Sequence, residues 1–247
     1  MAFVVNETTL TGNTIHTARS FFSTYAVRVS NDASVPSRRL VAGTHVHGEQ
    51  LWLPEFEHVP VAYYHERTGL AHIIKATRPT RFGIVGLGVG AAVEYAEPGD
   101  HVDIYELDPI VVQIASTYFT VLRESAATID TIVGDGRVRL REAKPGSYDL
   151  LVLDAFTSGS IPTHLLTVEA IGEMISKLSS NGVIAYHISN QHVDLLPVLH
   201  GAADALGLEI HYHRSAGQPK LSMFPATWVM LSPNPAITTA VIQSTPG

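Results

Sequence analysis

The sequence predicts an α/β protein, an open doubly wound sheet of about seven strands with a small antiparallel β appendage before it. Three observations carry this. The stretch from Arg81 to Asp108, RFGIVGLGVGAAVEYAEPGDHVDIYELD, reads as a short apolar strand, a glycine turn, an alanine-rich helical segment and a second strand tipped with acids. Apolar runs and helical stripes then alternate towards the end of the chain. Residues 1 to about 60 instead show short β-like runs between Asn, Asp, Ser, Pro and Gly clusters, with no helical period.

Taken in order, Val4-Val5, Ser23 to Val29 and Leu40 to Trp52 read as the strands of the appendage. A domain boundary is drawn near residue 75, giving a β region over 1–75 and the main domain over 76–247. Thr68 to Ile74 leads into the central strand, Phe82 to Val85, and the turn that follows holds Gly86, Gly88 and Gly90. Val102 to Tyr105 is the second strand, ending in Glu106 and Asp108. Pro109 to Glu124 reads as one helix whose stripe of Val111, Ile114, Ala115, Tyr118, Val121 and Leu122 faces the core. Ile132-Val133 is a third strand followed by Gly134-Asp135-Gly136, and Tyr148 to Leu153 a fourth followed by Asp154. A helix opens near Thr167, carries Ile171, Met174, Ile175 and Leu178, and closes at Asn181-Gly182. Val183 to Ile188 is a fifth strand, Val193 to Leu206 a helix stopped by Gly207, and Leu208 to Arg214 and Ala226 to Leu231 the last two strands. From Pro233 the chain reads as a fraying tail.

Acids after the second, third and fourth strands all fall at the carboxyl edge of a parallel sheet, where open α/β folds bind ligands. Glycines in the first turn let the backbone approach a ligand, Glu106 is placed to accept from both hydroxyls of a ribose, and Asp135 from an exocyclic amine. A ligand carrying a nucleoside is therefore expected. GxGxG also occurs in dinucleotide enzymes, and a tight turn packing helix on strand needs no ligand, but neither alternative gives Gly-Asp-Gly-Arg or Leu-Asp-Ala-Phe a role.

Composition narrows the class. Hydrophobic residues make up 45% and charged residues 16%, as in an ordinary globular protein. The net charge of −7, with no Lys/Arg run, argues against a nucleic-acid surface and suits cationic ligands such as amines or a sulfonium. There is no cysteine, hence no disulfide framework and no thiolate chemistry. No apolar run approaches the ~20 residues of a membrane span, and MAFVVNETTL lacks the basic and apolar regions of a leader, so a soluble cytoplasmic protein is expected. His45 with His47 and His211 with His213 share strand faces, but among 13 histidines such pairs arise by chance and no metal site is expected.

The series GLGVG, YELDP, GDGR and YDLLVLDAF is similar to an S-adenosylmethionine-type transferase. In particular it resembles the spermidine synthase (polyamine aminopropyltransferase) family, and within it the bacterial spermidine-synthase-like domains that stand alone or are fused to membrane segments. The likeness runs from Arg19 to Val229. It implies a Rossmann-like, methyltransferase-type sheet of seven strands whose last strand is antiparallel. It implies S-adenosylmethionine or decarboxylated S-adenosylmethionine as donor, no metal, a small-molecule amine as acceptor, and a homodimer. By the same likeness Gln50, in His-Gly-Glu-Gln, lies over the nucleoside. Tyr64 lines the acceptor channel, His65 contacts the donor, and Gly86, Gly88, Gly90, Glu106, Asp135 and Gly136 bind it. Asp154 is the base, or the electrostatic anchor of the nucleophile.

One departure matters. Relatives follow this Asp with a second acid, in a pattern like DAF-x-S-D-x-IP, where this chain has Gly159. That acid holds the distal amine of a diamine in the family, so the polyamine acceptor is in question while the donor site is not. Transfer of an alkyl group to an amine or other nucleophile is the first expectation. A methyltransferase or cyclase acting on a non-polyamine substrate, and a non-catalytic binding module, are the alternatives.

Overall fold

The computed structural model describes residues 12–31, 33–156, 161–189 and 193–245. The strand expected at Val4-Val5, and Gly159, lie outside the described residues.

The N-terminal region is a four-stranded antiparallel sheet in sequential order, β1 (Asn13–Arg19), β2 (Thr24–Ser30), β3 (Ser37–Ala42) and β4 (His45–Leu51). The single strand expected over Leu40 to Trp52 is thus a hairpin. It reverses at Gly43-Thr44, where Gly43 takes the left-handed φ of +59° that such a turn requires. β1 carries only moderate apolar content, and nothing in its sequence singled it out.

Helix α1 (Gly69–Thr77) follows, capped by the Thr68 hydroxyl, which accepts from the Ala71 N–H. It packs on the last helix and on the last strand of the main sheet, and residue 75 lies within it.

The main sheet has seven strands in the order β10-β11-β9-β8-β5-β6-β7. They are β5 (Arg81–Val85), β6 (His101–Glu106), β7 (Thr128–Val133), β8 (Tyr148–Leu153), β9 (Leu178–His187), β10 (Glu209–Ser215) and β11 (Ala226–Ser232). Strands β5 to β9 pair in parallel, and β11 runs antiparallel to both of its neighbours, as the resemblance implied. Each central strand is apolar on both faces because helices cover both. Phe82, Ile84, Leu150 and Val152 face one core with Ile114 and Ala115 of α2 (Pro109–Tyr118). Val85, Leu151 and Leu153 face the other, with Ile171 and Met174 of α5 (Val168–Ile175) and Leu199 and Ala203 of α6 (Leu196–Leu206).

Several elements differ from expectation. The alanine-rich segment is a single stretch of 3₁₀ helix, Ala91–Tyr95. The helix expected over 109–124 breaks into α2 and α3 (Val121–Glu124) at Phe119-Thr120, where the Thr120 N–H is drawn off by Gln50. Beyond β7, α4 (Gly136–Leu140) is a short helix. Leu178 begins β9 rather than ending a helix, because α5 stops at Ile175 and Gly182 lies within the strand, against the Tyr148 carbonyl. The expected tail is helix α7 (Pro235–Ser244): Asn234 caps it, Pro235 opens it, and Val241 is buried against the core below α1. Its stripe is too sparse to read from sequence. No helix among the described residues is long and apolar enough to cross a membrane.

At the amino edge of the sheet, away from the acids, Asp149 on β8 accepts from Arg81 (2.8 Å), Ser179 (2.8 Å) and the Thr80 N–H (3.2 Å), tying β5 and β9 to β8. Burial alone would raise its carboxyl, but these hydrogen bonds and the Arg81 charge outweigh burial and hold it at about 2. A depressed carboxylate stabilises the fold above its unfolded value of about 3.9, and that contribution fades as pH falls towards 2. Asp149→Asn is expected to lower the melting temperature at pH 7, with the gap to the native protein closing as pH is brought down to 2 in parallel thermal melts.

Candidate active site

The carboxyl edge of the sheet gathers three pieces of chain around the glycine turn. β5 ends at Val85, and the turn begins with Gly86 (φ +98°) and Gly88 (φ +55°). A Cβ on Gly86 would strike the backbone of Asp154, and one on Gly88 the carbonyl oxygen of His47 on β4, both at well under 3.0 Å. The glycines therefore let β8 and the N-terminal sheet close on the turn from opposite sides. Gly90 follows, and Gly136 packs against Val85 with no room for a side chain.

Glu106, at the end of β6, holds the turn in shape. Its carboxylate accepts from the Leu87 N–H (2.9 Å) and from the Asp108 N–H (2.8 Å). Burial raises its pKa above the ordinary carboxylate value, against the pull of those two N–H groups. Asp108 caps α2 and also accepts from the Ser20 and Tyr25 hydroxyls, so the Glu-Leu-Asp-Pro segment ties the turn, α2 and the N-terminal sheet together.

Asp154 follows β8 at the same edge, with 15% of its side chain exposed. The Tyr64 hydroxyl donates to one carboxylate oxygen, and Nδ1 of His187 lies 2.6 Å from the other. His187 ends β9, the neighbour of β8, one step beyond the Leu153–Tyr186 pair in the ladder, so parallel register alone brings the two tips together. Tyr64 is placed from the other side. The hydroxyl of Tyr95 donates to its carbonyl, and Ala62 is stitched to Ser222 and Phe224 by backbone hydrogen bonds. The His187 ring stacks on Trp228 of β11, with centroids 4.7 Å apart and planes at 18°, and Tyr63 and Phe156 complete its surroundings at 5.0 and 5.1 Å. Burial, reinforced by the charges of Asp154 and Glu49, pushes the Tyr63 phenol up to about 12. Burial also lowers the His47 pKa, although the Asp154 charge pulls it the other way.

The structure thus brings Tyr64, Asp154, Glu106 and the glycines to one edge. Three other sequence-predicted residues have their polar atoms engaged inside the protein. Gln50 is buried; its amide donates to the Thr120 hydroxyl (2.6 Å) and the Glu57 carbonyl (3.1 Å) and accepts from the Thr120 N–H (3.1 Å). His65 is fully buried, with Nε2 on the Phe224 carbonyl and Nδ1 accepting from the Arg67 N–H, so neither ring nitrogen is left for a donor contact. Asp135 caps α4 through the Val138 N–H and pairs with His164, leaving it half-exposed. His187 escaped the sequence reading, which looked for acids at strand tips. The signal was present as a histidine closing the strand next to Asp154.

Among the described residues, two clusters bring three potential metal-ligand atoms within 4.8 Å of one another, Glu57 with His58 and Glu124, and His101 with Asp103 and Asp130. Neither cluster contains a member of the His45/His47 or His211/His213 pairs or of the Asp154 site.

No family model matches the chain. The chain is 33% identical over 187 residues to a polyamine aminopropyltransferase of Vibrio vulnificus (strain CMCP6), the match covering 74% of this chain and 60% of that protein. The match thus spans less than two thirds of that relative's length. A probable spermidine synthase from Corynebacterium glutamicum superposes with a TM-score of 0.63 at 16% identity, covering 93% of this chain and 86% of that one. Human methyltransferase-like protein 13, in complex with SAH, shares the fold over 72% of this chain and 87% of that one, with a TM-score of 0.54 and 17% identity.

The Gln50 network predicts a measurable cost. Gln50→Ala leaves the buried Thr120 N–H without its acceptor, which costs about 1–3 kcal/mol. Denaturant unfolding is expected to show a loss in that range with an unchanged m-value.

Proposed function

We propose that this chain, which is spermidine-synthase-like in sequence and fold, is a transferase that takes an alkyl group from an S-adenosyl sulfonium donor and places it on the nitrogen of a small amine. The observation that carries this reading is the carboxylate of Asp154, fixed by Tyr64 and His187 at the sheet edge on a residue whose backbone abuts the glycine turn. A sulfonium needs little activation, since it leaves as a neutral thioether. The protein has to supply in-line placement and a free amine lone pair. A donor in the turn and an acceptor beside Asp154 meet both needs.

In this reading the backbone of Gly86, Gly88, Gly90 and Gly136 seats the donor. Glu106 accepts from the ribose hydroxyls with lone pairs its two backbone partners leave over, and Asp135 accepts from the adenine amine. Gln50 and His65 frame the cleft through the protein's own hydrogen bonds. Tyr64 fixes Asp154 and walls the acceptor side. The acceptor is proposed to be less cationic or bulkier than a diamine, because Gly159 stands where a second acid holds the distal ammonium in the family. Methyl transfer is the second reading. It is favoured by that same residue and by the fold shared with a methyltransferase-like protein bound to SAH. A homodimer acting without nucleic acid is part of the proposal.

Calorimetry with methylthioadenosine is expected to show binding by the native protein, and Glu106→Ala to weaken it about tenfold to a hundredfold. Thermal melts of the same variant separate this from loss of the turn. Asp154→Asn is expected to cut turnover by about 10²–10⁴ while leaving methylthioadenosine affinity nearly intact. Products formed with S-adenosylmethionine and with its decarboxylated form, resolved by mass spectrometry, separate methyl from aminopropyl transfer.

A further inference from the structure

We infer that His187 is the group that takes the proton from the acceptor amine, and that Asp154 acts through it as a positioning carboxylate. The inference rests on the transfer reading above and goes beyond it in naming the base.

Both oxygens of Asp154 are already engaged, one by the Tyr64 hydroxyl and the other by Nδ1 of His187 at 2.6 Å. A carboxylate accepts but does not donate, so Nδ1 carries the hydrogen in this contact. That assignment leaves Nε2 as the ring's lone pair. Nε2 is buried and has no hydrogen-bond partner, and His187 as a whole is 3% exposed. Were Nε2 protonated, it would be a buried donor with nothing to accept it, which the interior penalises. The ring is also held against rotation. Trp228 covers one face in near-parallel stacking, and Tyr63 and Phe156 close the surroundings. The result is an imidazole fixed in one tautomer by a carboxylate, with its lone pair presented inside an aromatic enclosure.

That arrangement suits an amine acceptor in a way that a bare carboxylate does not. An ammonium is drawn to the faces of aromatic rings and to the negative charge of Asp154 behind the imidazole. On arrival it passes one N–H proton to Nε2, and its nitrogen lone pair is freed. The lone pair attacks the carbon attached to the sulfonium, the C–S bond breaks, and its electron pair stays on sulfur as a neutral thioether. The product leaves as an alkylated ammonium, and the proton on Nε2 is released to solvent. Throughout, the hydrogen stays on Nδ1 and is donated to Asp154, whose negative charge stabilises the imidazolium while it exists.

The test is His187→Asn. Its amide nitrogen replaces Nδ1 as the donor to Asp154, and the lone pair at Nε2 is removed together with half the ring. The assay uses the native donor form with putrescine, a monoamine and an alkoxyamine, whose nitrogen is already unprotonated at neutral pH. The variant is expected to bind methylthioadenosine like the native protein and to lose about 10²–10⁴ in kcat with the alkylamines. It is expected to lose much less with the alkoxyamine, and to recover activity when free imidazole is added. A residue that only packs or only orients Asp154 gives neither the acceptor dependence nor the imidazole rescue. Native-like kcat in the variant, or an equal loss with all three acceptors and no rescue, overturns the assignment while leaving the transfer reading in place. Turnover absent from the native protein with every donor and acceptor offered overturns both. If His187→Asn fails to fold, His187→Gln is read in the same assay, with the same outcomes deciding.

Discussion

The site depends on how closely three backbones approach one another at the glycine turn. Gly86 meets the chain at Asp154 and Gly88 meets the carbonyl of His47, each at a separation that a single methyl group would abolish. Neither contact contributes a strong interaction of its own. Their effect is geometric: the first lets the chain after β8 close on the turn, and the second sets the distance at which the N-terminal sheet lies over the edge of the main sheet. Glu106 then fixes the turn by taking two backbone N–H groups, and Asp108, two residues on, takes two hydroxyls from the N-terminal sheet. One short acidic segment therefore locks the glycine turn and the N-terminal region above it.

The Asp154 cluster follows from the same register. In a parallel sheet, adjacent strand tips lie side by side, so the residue after β8 and the last residue of β9 become neighbours without any dedicated contact. Tyr64 arrives from a segment held by backbone hydrogen bonds to residues 222–224, just before β11, and the Trp228 indole donates to the Tyr63 carbonyl at 3.1 Å. The surroundings of Asp154, proposed above as the acceptor side, are thus assembled from β8, β9, β11 and the segment before α1. Groups so widely spaced in sequence are held by one rigid sheet, which suits a reaction that needs placement more than activation.

Much of this was legible in the sequence. The parallel strands are short apolar runs buried on both faces, and such runs followed by acids leave few alternatives for where the edge lies. Asp154, Glu106 and the glycines could be read because their signal is local. What escaped depended on partners distant in sequence. Thr120 breaks a helix because Gln50, 70 residues away, takes its N–H. His65 looked like a donor contact by likeness, but two backbone groups claim its ring nitrogens. α7 forms from a sparse stripe because α1 offers it a surface. His187 is the instructive case, since its partner is fixed by strand order and register rather than by spacing along the chain.

The central claim is that donor and acceptor meet at Asp154 beside the glycine turn. The most direct measurement is a single-turnover experiment with S-adenosylmethionine and its decarboxylated form, each carrying a labelled adenosine, in which the thioether released is followed with and without an amine acceptor. The account predicts a labelled thioether that appears with the native protein only when acceptor is present, and that is strongly slowed in Asp154→Asn at unchanged donor affinity. Donor binding that competes with no adenosyl thioether, or thioether release equally fast in the native protein and Asp154→Asn, would contradict it.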